Sequence, residues 1–283
     1  MKPLVPDAAT PPPTPAPRSD GDPGPDPWAH LRQHTPARIA LGRTGVSLPT
    51  REVLDFALAH AQARDAIHLP LDTEALCAEL AQQGWPSPPV LLQSQARDRH
   101  EYLLRPDLGR RLDADSVQRL GAAGDSGAPA PDLVLVVGDG LSALGIQLHG
   151  AALLGAIRRA LHPGIRLGPL VVVRQARVAV ADEVGERLGA AAVAMVVGER
   201  PGLSSPDSLG IYLTHAPRVG CSDAQRNCIS NVRPAGQDVE TAARRLAWLF
   251  EESRRLGLTG VGLKDHSGLP LAGLPAGARP ELG

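Results

Sequence analysis

The sequence predicts an α/β protein, a doubly wound and mostly parallel sheet preceded by a helical N-terminal part, on three observations. Short apolar runs recur in the second half, at Leu133–Val137, Leu170–Val173 and Val193–Val197, with Leu209–Leu213 as a fourth. Helical stretches stand among them, at Ser142–Leu161 and Ala181–Leu188, and a long amphipathic one follows at Gln237–Leu256. The first part of the chain has helical rather than alternating spacing. Strands with no polar face need cover on both sides, and crossover helices supply it. That layout is Rossmann-like.

Taken in order, residues 1–27 hold ten of the 28 prolines. Proline fixes φ and lacks an amide donor, so this arm is expected to be disordered. Residues 28–120 read as helical. Trp28–Leu41 has loose helical spacing broken at Pro36, and Thr50 is placed to cap a helix whose apolar face is Val53, Leu54, Phe56, Ala57, Leu58 and Ala61. Asp72 or Thr73 caps another, through Leu76 and Leu80 to Gly84. Tyr102–Leu112 is an apolar run breaking into an Arg-rich turn. Residues 121–131, rich in Gly, Ala, Ser, Asp and Pro, read as a linker, residues 132–266 as the α/β domain, and residues 267–283 as a flexible tail.

Composition excludes several classes. Twenty-nine basic and 30 acidic residues give a net charge of -1, with two Phe, two Tyr and three Trp, so nucleic acid is not an expected partner. Three cysteines without a CxxC (Cys77, Cys221, Cys228) read as a reduced, cytoplasmic chain. No apolar run reaches the roughly 18 residues of a membrane span, and the N-terminus lacks the apolar region of a secretory signal. No paired histidine spacing implies a metal site.

The chemistry-bearing residues cluster where strands end. Gly138-Asp139-Gly140 through Gly145 follows an apolar run and opens a helix, as a pyrophosphate-binding turn does. Its spacing is GxGxxxxG, Asp139 puts a negative charge beside any phosphate, and Arg174 stands where a nicotinamide ribose needs an acid. An NADP-binding oxidoreductase domain, a tight structural turn and a crevice of another kind all stay open. Val196-Val-Gly-Glu199-Arg200-Pro-Gly-Leu-Ser-Ser205 runs an apolar strand into a carboxylate and a guanidinium, either a surface pair or an acceptor for a polar ligand. Cys228, within Arg226-Asn-Cys-Ile-Ser-Asn231, is either a small buried side chain or a thiol that His215 could activate. Ser204, Asp207 and His215 lack the G-x-S-x-G elbow of a hydrolase.

Six collinear blocks carry a resemblance. They are Ala37-Arg-Ile-Ala-Leu-Gly-Arg43-Thr-Gly, Leu104-Arg-Pro-Asp-Leu-Gly-Arg-Arg-Leu112, Val137-Gly-Asp-Gly-Leu-Ser142, Val173-Arg-Gln-Ala-Arg-Val178, Val197-Gly-Glu-Arg-Pro-Gly-Leu203 and Cys228-Ile-Ser-Asn231. From about Asp26 to Asp265 the chain resembles the small subunit of ethanolamine ammonia-lyase. The resemblance implies an adenosylcobalamin-dependent carbon–nitrogen lyase, turning ethanolamine and related vicinal amino alcohols into acetaldehyde and ammonia. Homolysis of the Co–C bond gives the radical that abstracts substrate hydrogen, chemistry that belongs to the cofactor.

It also implies division of labour. A TIM-barrel large subunit holds the substrate and the catalytic residues, in an α6β6 assembly, and this chain alone is inactive. The cobalamin lies between the chains, with Val178, Glu199 and Cys228 as the cobalamin-contacting positions here and the 28–120 part touching the large subunit. The single Asp-x-His, Asp98-Arg99-His100, has Leu103 where the D-x-H-x-x-G loop of other corrinoid proteins has Gly. Cobalamin is therefore expected base-on, keeping its own dimethylbenzimidazole. A corrinoid carrier without turnover is the non-enzymatic rival. The Pro-rich arm cannot form the amphipathic helix that targets relatives to a bacterial microcompartment, so a free cytoplasmic enzyme is expected.

Overall fold

A computed structural model describes residues 26–124 and 129–268. Most of the Pro-rich arm, the middle of the linker and nearly all of the tail lie outside these residues. The chain divides into two compact units, Met1–Ala59 and His60–Gly283.

In the first unit the described residues hold a single 3-10 turn, Ala29–Gln33, and a Thr44–Ser47 bridge. The helix α1 (Thr50–His68) starts there, with Arg38 over the Phe56 ring at 5.7 Å. Its predicted apolar face stays open: Val53, Leu54, Phe56 and Leu58 are all exposed.

The second unit is built on a six-stranded sheet. Its elements are α2 (Thr73–Gln82), β1 (Val90–Gln93), α3 (Arg99–Leu104), α4 (Ala114–Gly124), β2 (Leu133–Gly138), β3 (Val171–Arg174), α7 (Val180–Arg187), β4 (Ala192–Gly198), β5 (Leu209–His215), β6 (Arg226–Val232) and α8 (Val239–Leu256). Between β2 and β3 the chain is helical through α5 (Ala143–Gly145), a π turn at Ile146–Gly150, and α6 (Ala151–Ala160). Asp72, rather than Thr73, caps α2, accepting from the Ala75 amide at 2.9 Å. At the far end Asp238 caps α8, and Gly257 closes it in the left-handed region at φ 71.

The strand order is β1-β3-β2-β4-β5-β6, and the sheet is mixed rather than mostly parallel. The first four strands run parallel, whereas β4–β5 and β5–β6 are antiparallel. The reason is loop length. A parallel return needs a crossover of about a dozen residues or more, usually a helix. Only a short loop without a crossover helix separates β4 from β5, and again β5 from β6, so each chain end turns straight back. Two strands had no sequence signal. Val90–Gln93 is very short, and Arg226–Val232 carries four polar side chains. The first of these, in the part read as helical, forms the edge of the sheet, so residues up to 120 are not a purely helical prelude.

Both sheet faces are covered. Leu133, Leu135 and Val137 pack with Leu76 and Leu80 of α2, Ile157 of α6, and Leu246 and Phe250 of α8. Val134 and Val136 face the other way, against Leu120 of α4 and Val180 and Val184 of α7. Two acids at the start of α7 tie it to its neighbours. Asp182 is buried and accepts from the equally buried Arg226 at 2.6 Å, while Arg226 also donates to Thr214 Oγ1 and the Cys221 carbonyl. Glu183, also buried, accepts from Arg111, Arg187 and the Leu112 amide.

Removing one partner of a buried ion pair strands the other charge. Asp182→Ala is expected to cost about 3–5 kcal/mol, read from the urea midpoint. Burial works to raise the Glu183 carboxyl, but Arg111, the Leu112 amide and Arg187 outweigh it and hold the group below the usual carboxylate range. A depressed folded-state value gives stability that is present above the ordinary carboxylate pKa and is lost as pH falls through the folded one. Glu183→Gln should therefore lower stability at neutral pH and flatten its decline below about pH 4.5.

Candidate functional site

The strands β3 and β4 lie on opposite sides of β2, and α6 and α7, which lead into them, cover opposite sheet faces. The chain thus diverges at the carboxyl ends of β2 and β4, the place where open α/β sheets leave a crevice. A crevice of about 420 Å³ opens there.

Its floor is a backbone contact. At Gly140, φ is +61, and a Cβ would stand 2.1 Å from the Gly198 carbonyl oxygen. That carbonyl accepts from the Leu141 amide at 3.0 Å, joining the ends of β2 and β4. Between the glycines Asp139 turns inward, 4% exposed. Its two carboxylate oxygens accept from the Gln175 and Ala176 amides, each at 2.9 Å. Burial pushes the Asp139 carboxyl above its ordinary range, against those two amide bonds and the Arg99 charge. Within the turn the Leu141 amide, one that an anion would seek, is already taken by the Gly198 carbonyl, and the Asp139 carboxylate faces the end of β3, which weakens the case for a pyrophosphate cradle. The guanidinium of Arg174 turns to Thr73 Oγ1 at 2.8 Å. The glycine motif is a tight structural turn.

One wall is Tyr102, fully buried, whose hydroxyl donates to the Ala176 carbonyl at 3.0 Å. Arg99 and Arg177 both lie against its ring, at 4.8 and 4.3 Å from the centroid. Arg99 spends its donors on the carbonyls of Ile67, Gly140 and Leu141. The opposite wall is Glu199, Arg200 and Tyr212. Glu199 Oε2 accepts from the Asn231 amide at 3.1 Å, and the Glu199 amide donates to the Ser208 carbonyl.

Of the residues expected at the site, Val178 and Glu199 line this one crevice. Cys228 sits one strand over, opposite Tyr212 in the β5–β6 register and hydrogen-bonded to its hydroxyl. Although the residue is exposed, desolvation at the thiol, with the Glu199 charge adding, pushes Cys228 up. Desolvation, then Cys228 and the Glu199 charge, push the Tyr212 hydroxyl up as well. Both groups are neutral at pH 7, so Cys228 is not a poised thiolate. Asp207 bonds His149 at 3.0 Å rather than His215, so Ser204, Asp207 and His215 form no triad. Tyr102, Arg177 and Tyr212 were not singled out from the sequence. A lone aromatic in a short helix and an arginine after a strand carry no spacing signal. Among the described residues no group of three His, Cys, Asp or Glu could hold a metal ion.

The family model for the ethanolamine ammonia-lyase light chain (EutC) matches residues 25–264. The ethanolamine ammonia-lyase small subunit of Ralstonia nicotianae is 56% identical over 258 residues, 91% of this chain and 94% of that protein. Its counterpart in Pseudomonas aeruginosa is 59% identical over 245 residues, 86% of this chain and 88% of the other. That of Pseudomonas putida is 54% identical over 247 residues, covering 87% and 90%.

Asp139→Asn replaces one acceptor oxygen with an NH2 group facing a buried amide. The expected loss is about 1–3 kcal/mol in urea unfolding, with faster hydrogen exchange at Gln175 and Ala176 than elsewhere in the sheet. Unchanged exchange at those two amides would count against the clamp.

Proposed function

The chain belongs to the ethanolamine ammonia-lyase light-chain family, and from that premise we propose that its crevice holds part of an adenosylcobalamin shared with a large subunit. It is a subunit of a carbon–nitrogen lyase of ethanolamine degradation, as its family and relatives are named. The observation that carries the cofactor reading is the convergence of Val178 and Glu199 on one crevice, with Cys228 reaching it through Tyr212.

The lining fits the group. The edge of a corrin carries amide side chains, which both donate and accept. The crevice offers acceptors at Glu199 and the strand-end carbonyls and donors at Arg177 and Arg200. Two buried atoms nearby, Gln175 Oε1 and Arg177 Nε, lack a protein partner. Glu199 accepts from the corrin amides with the carboxylate oxygen that Asn231 leaves free. Val178 packs against the macrocycle, and the Tyr212–Cys228 pair closes the rim. Adenosylcobalamin, when bound, supplies the radical chemistry; this chain binds it, orients it and keeps water out.

The finer picture is proposed on the same footing: an α6β6 assembly, a doubly wound core and a cytoplasmic location. The exposed apolar side chains of α1, Val53, Leu54 and Leu58, support large-subunit contact by the 28–120 part. No helix among the described residues is long and apolar enough to cross a membrane. Base-on binding is supported by the Asp-x-His site. Asp98 is spent capping α3 through the Glu101 amide at 2.8 Å, and His100 is exposed and does not line the crevice.

Acetaldehyde should form from ethanolamine only when this chain, a large subunit and adenosylcobalamin are combined. Glu199→Gln should raise the half-saturating cofactor concentration roughly tenfold, the size of one lost charge-assisted hydrogen bond. A folded complex with no turnover would break the reading. Electron paramagnetic resonance of the Co(II) form should show benzimidazole nitrogen on cobalt, unchanged by 15N-histidine labelling; a histidine-dependent splitting would overturn base-on binding.

A further inference from the structure

The charge balance of the crevice is uneven. Three guanidiniums, Arg99, Arg177 and Arg200, stand in or beside it, against the carboxylates Asp139 and Glu199. Arg99 is bound to three carbonyls and lies near Asp139. Asp139 is itself tied to two backbone amides, and Glu199 to a third. Arg200 has no such tie, and Arg177 only a long one to the Tyr102 carbonyl. Among the described residues neither is ion-paired, whereas Arg111, Arg187 and Arg226 all are.

Arg177 is also held in place. Its guanidinium stacks on Tyr102 at 4.3 Å, with a weak 3.4 Å bond from Nη2 to the Tyr102 carbonyl. Its Cγ lies where a Cβ on Gly109 would come within 2.8 Å, so the side chain has a channel that only glycine leaves free. Its Nε is buried with no acceptor. A half-buried, immobilised guanidinium that has no carboxylate partner and keeps one buried donor unmatched is a place that an anionic ligand completes. A planar fork is suited to two oxygens of one oxyanion.

We propose that Arg177, aided by Arg200 across the crevice, is an oxyanion subsite that takes a phosphate group. This rests on the cofactor reading above for its source: the phosphodiester of the cobalamin nucleotide loop. Arg177 supplies the fork at the wall, and Arg200, exposed at the rim, approaches the anion from the other side. The subsite orients the cofactor, since the phosphodiester marks one edge of an otherwise amide-fringed ring.

Binding of three corrinoids to the two-chain complex tests this without turnover. Hydroxocobalamin and cobinamide phosphate carry the phosphate group, and cobinamide lacks it. Equilibrium dialysis should show the first two bound at least tenfold more tightly than cobinamide. Arg177→Gln should abolish that difference, weakening cobinamide far less than the two phosphate-bearing corrinoids; Arg200→Gln, at an exposed position, should reduce it about threefold. Should Arg177→Gln not assemble, Arg177→Lys keeps the charge, loses the fork, and is expected to lose most of the preference. Equal weakening of all three corrinoids, or of none, overturns the subsite. Inorganic phosphate separates the sources. Phosphate that binds wild type but not the variant, while corrinoid affinities ignore the substitution, overturns the phosphodiester and leaves a free-anion site. If wild type binds no corrinoid at all, the cofactor reading falls instead. Arg177-dependent phosphate binding then upholds the anion subsite, and its absence overturns it.

Discussion

Everything at the crevice depends on how closely the ends of β2 and β4 approach each other. The Gly198 carbonyl sits where a side chain on residue 140 would have to be, and the Leu141 amide holds it there. A Cβ on either glycine would push the two strand ends apart. With them would move the two walls, because Asp139 carries the β3 end and Glu199 continues directly from Gly198. The left-handed φ at Gly140 sharpens the turn enough for Asp139 to face inward. One backbone contact thereby fixes three strand ends, and the site residues follow from their position after those ends.

Charges in this protein serve two different ends. At the start of α7, Asp182 and Glu183 are buried with guanidiniums and backbone donors about them, and they lock the helix to β6 and to the loop before α4. Such pairs gain little net energy over apolar packing, but they are costly to break, so they set geometry more than stability. Around Tyr102 the pattern is the reverse: guanidiniums outnumber the acids, and one of their donors is left unmatched. Unmatched buried donors are rare in native proteins, and they gather where a ligand completes the count.

The antiparallel half of the sheet shows how local length governs topology. The chain from β2 to β4 uses helices to return, and its strands are parallel and apolar on both faces. After Gly198 the connections shorten and the direction alternates. This antiparallel edge brings Tyr212 and Cys228 next to Glu199, which a continued parallel winding would have carried away behind a helix.

The apolar runs, their helical spacers and an N-cap at Asp72 or Thr73 were legible in the chain itself, because burial on both faces and helix termini impose local composition. So was the position of Glu199, a carboxylate at the end of a buried strand and on the crevice wall. Six short blocks were enough for the family. Sequence could not decide between a phosphate cradle and a structural turn at Gly138–Gly145. That depended on the partners of the Leu141 amide and of Asp139, which lie far on in the chain at Gly198, Gln175 and Ala176. Nor could it place β1 and β6, whose pairing partners rather than their own residues make them strands. Tyr102 and Arg177 meet across 75 residues of chain, and only the folded sheet edge brings a ring, two guanidiniums and an unused donor together. Periodicity is a property of neighbours in sequence; charge balance is a property of neighbours in space.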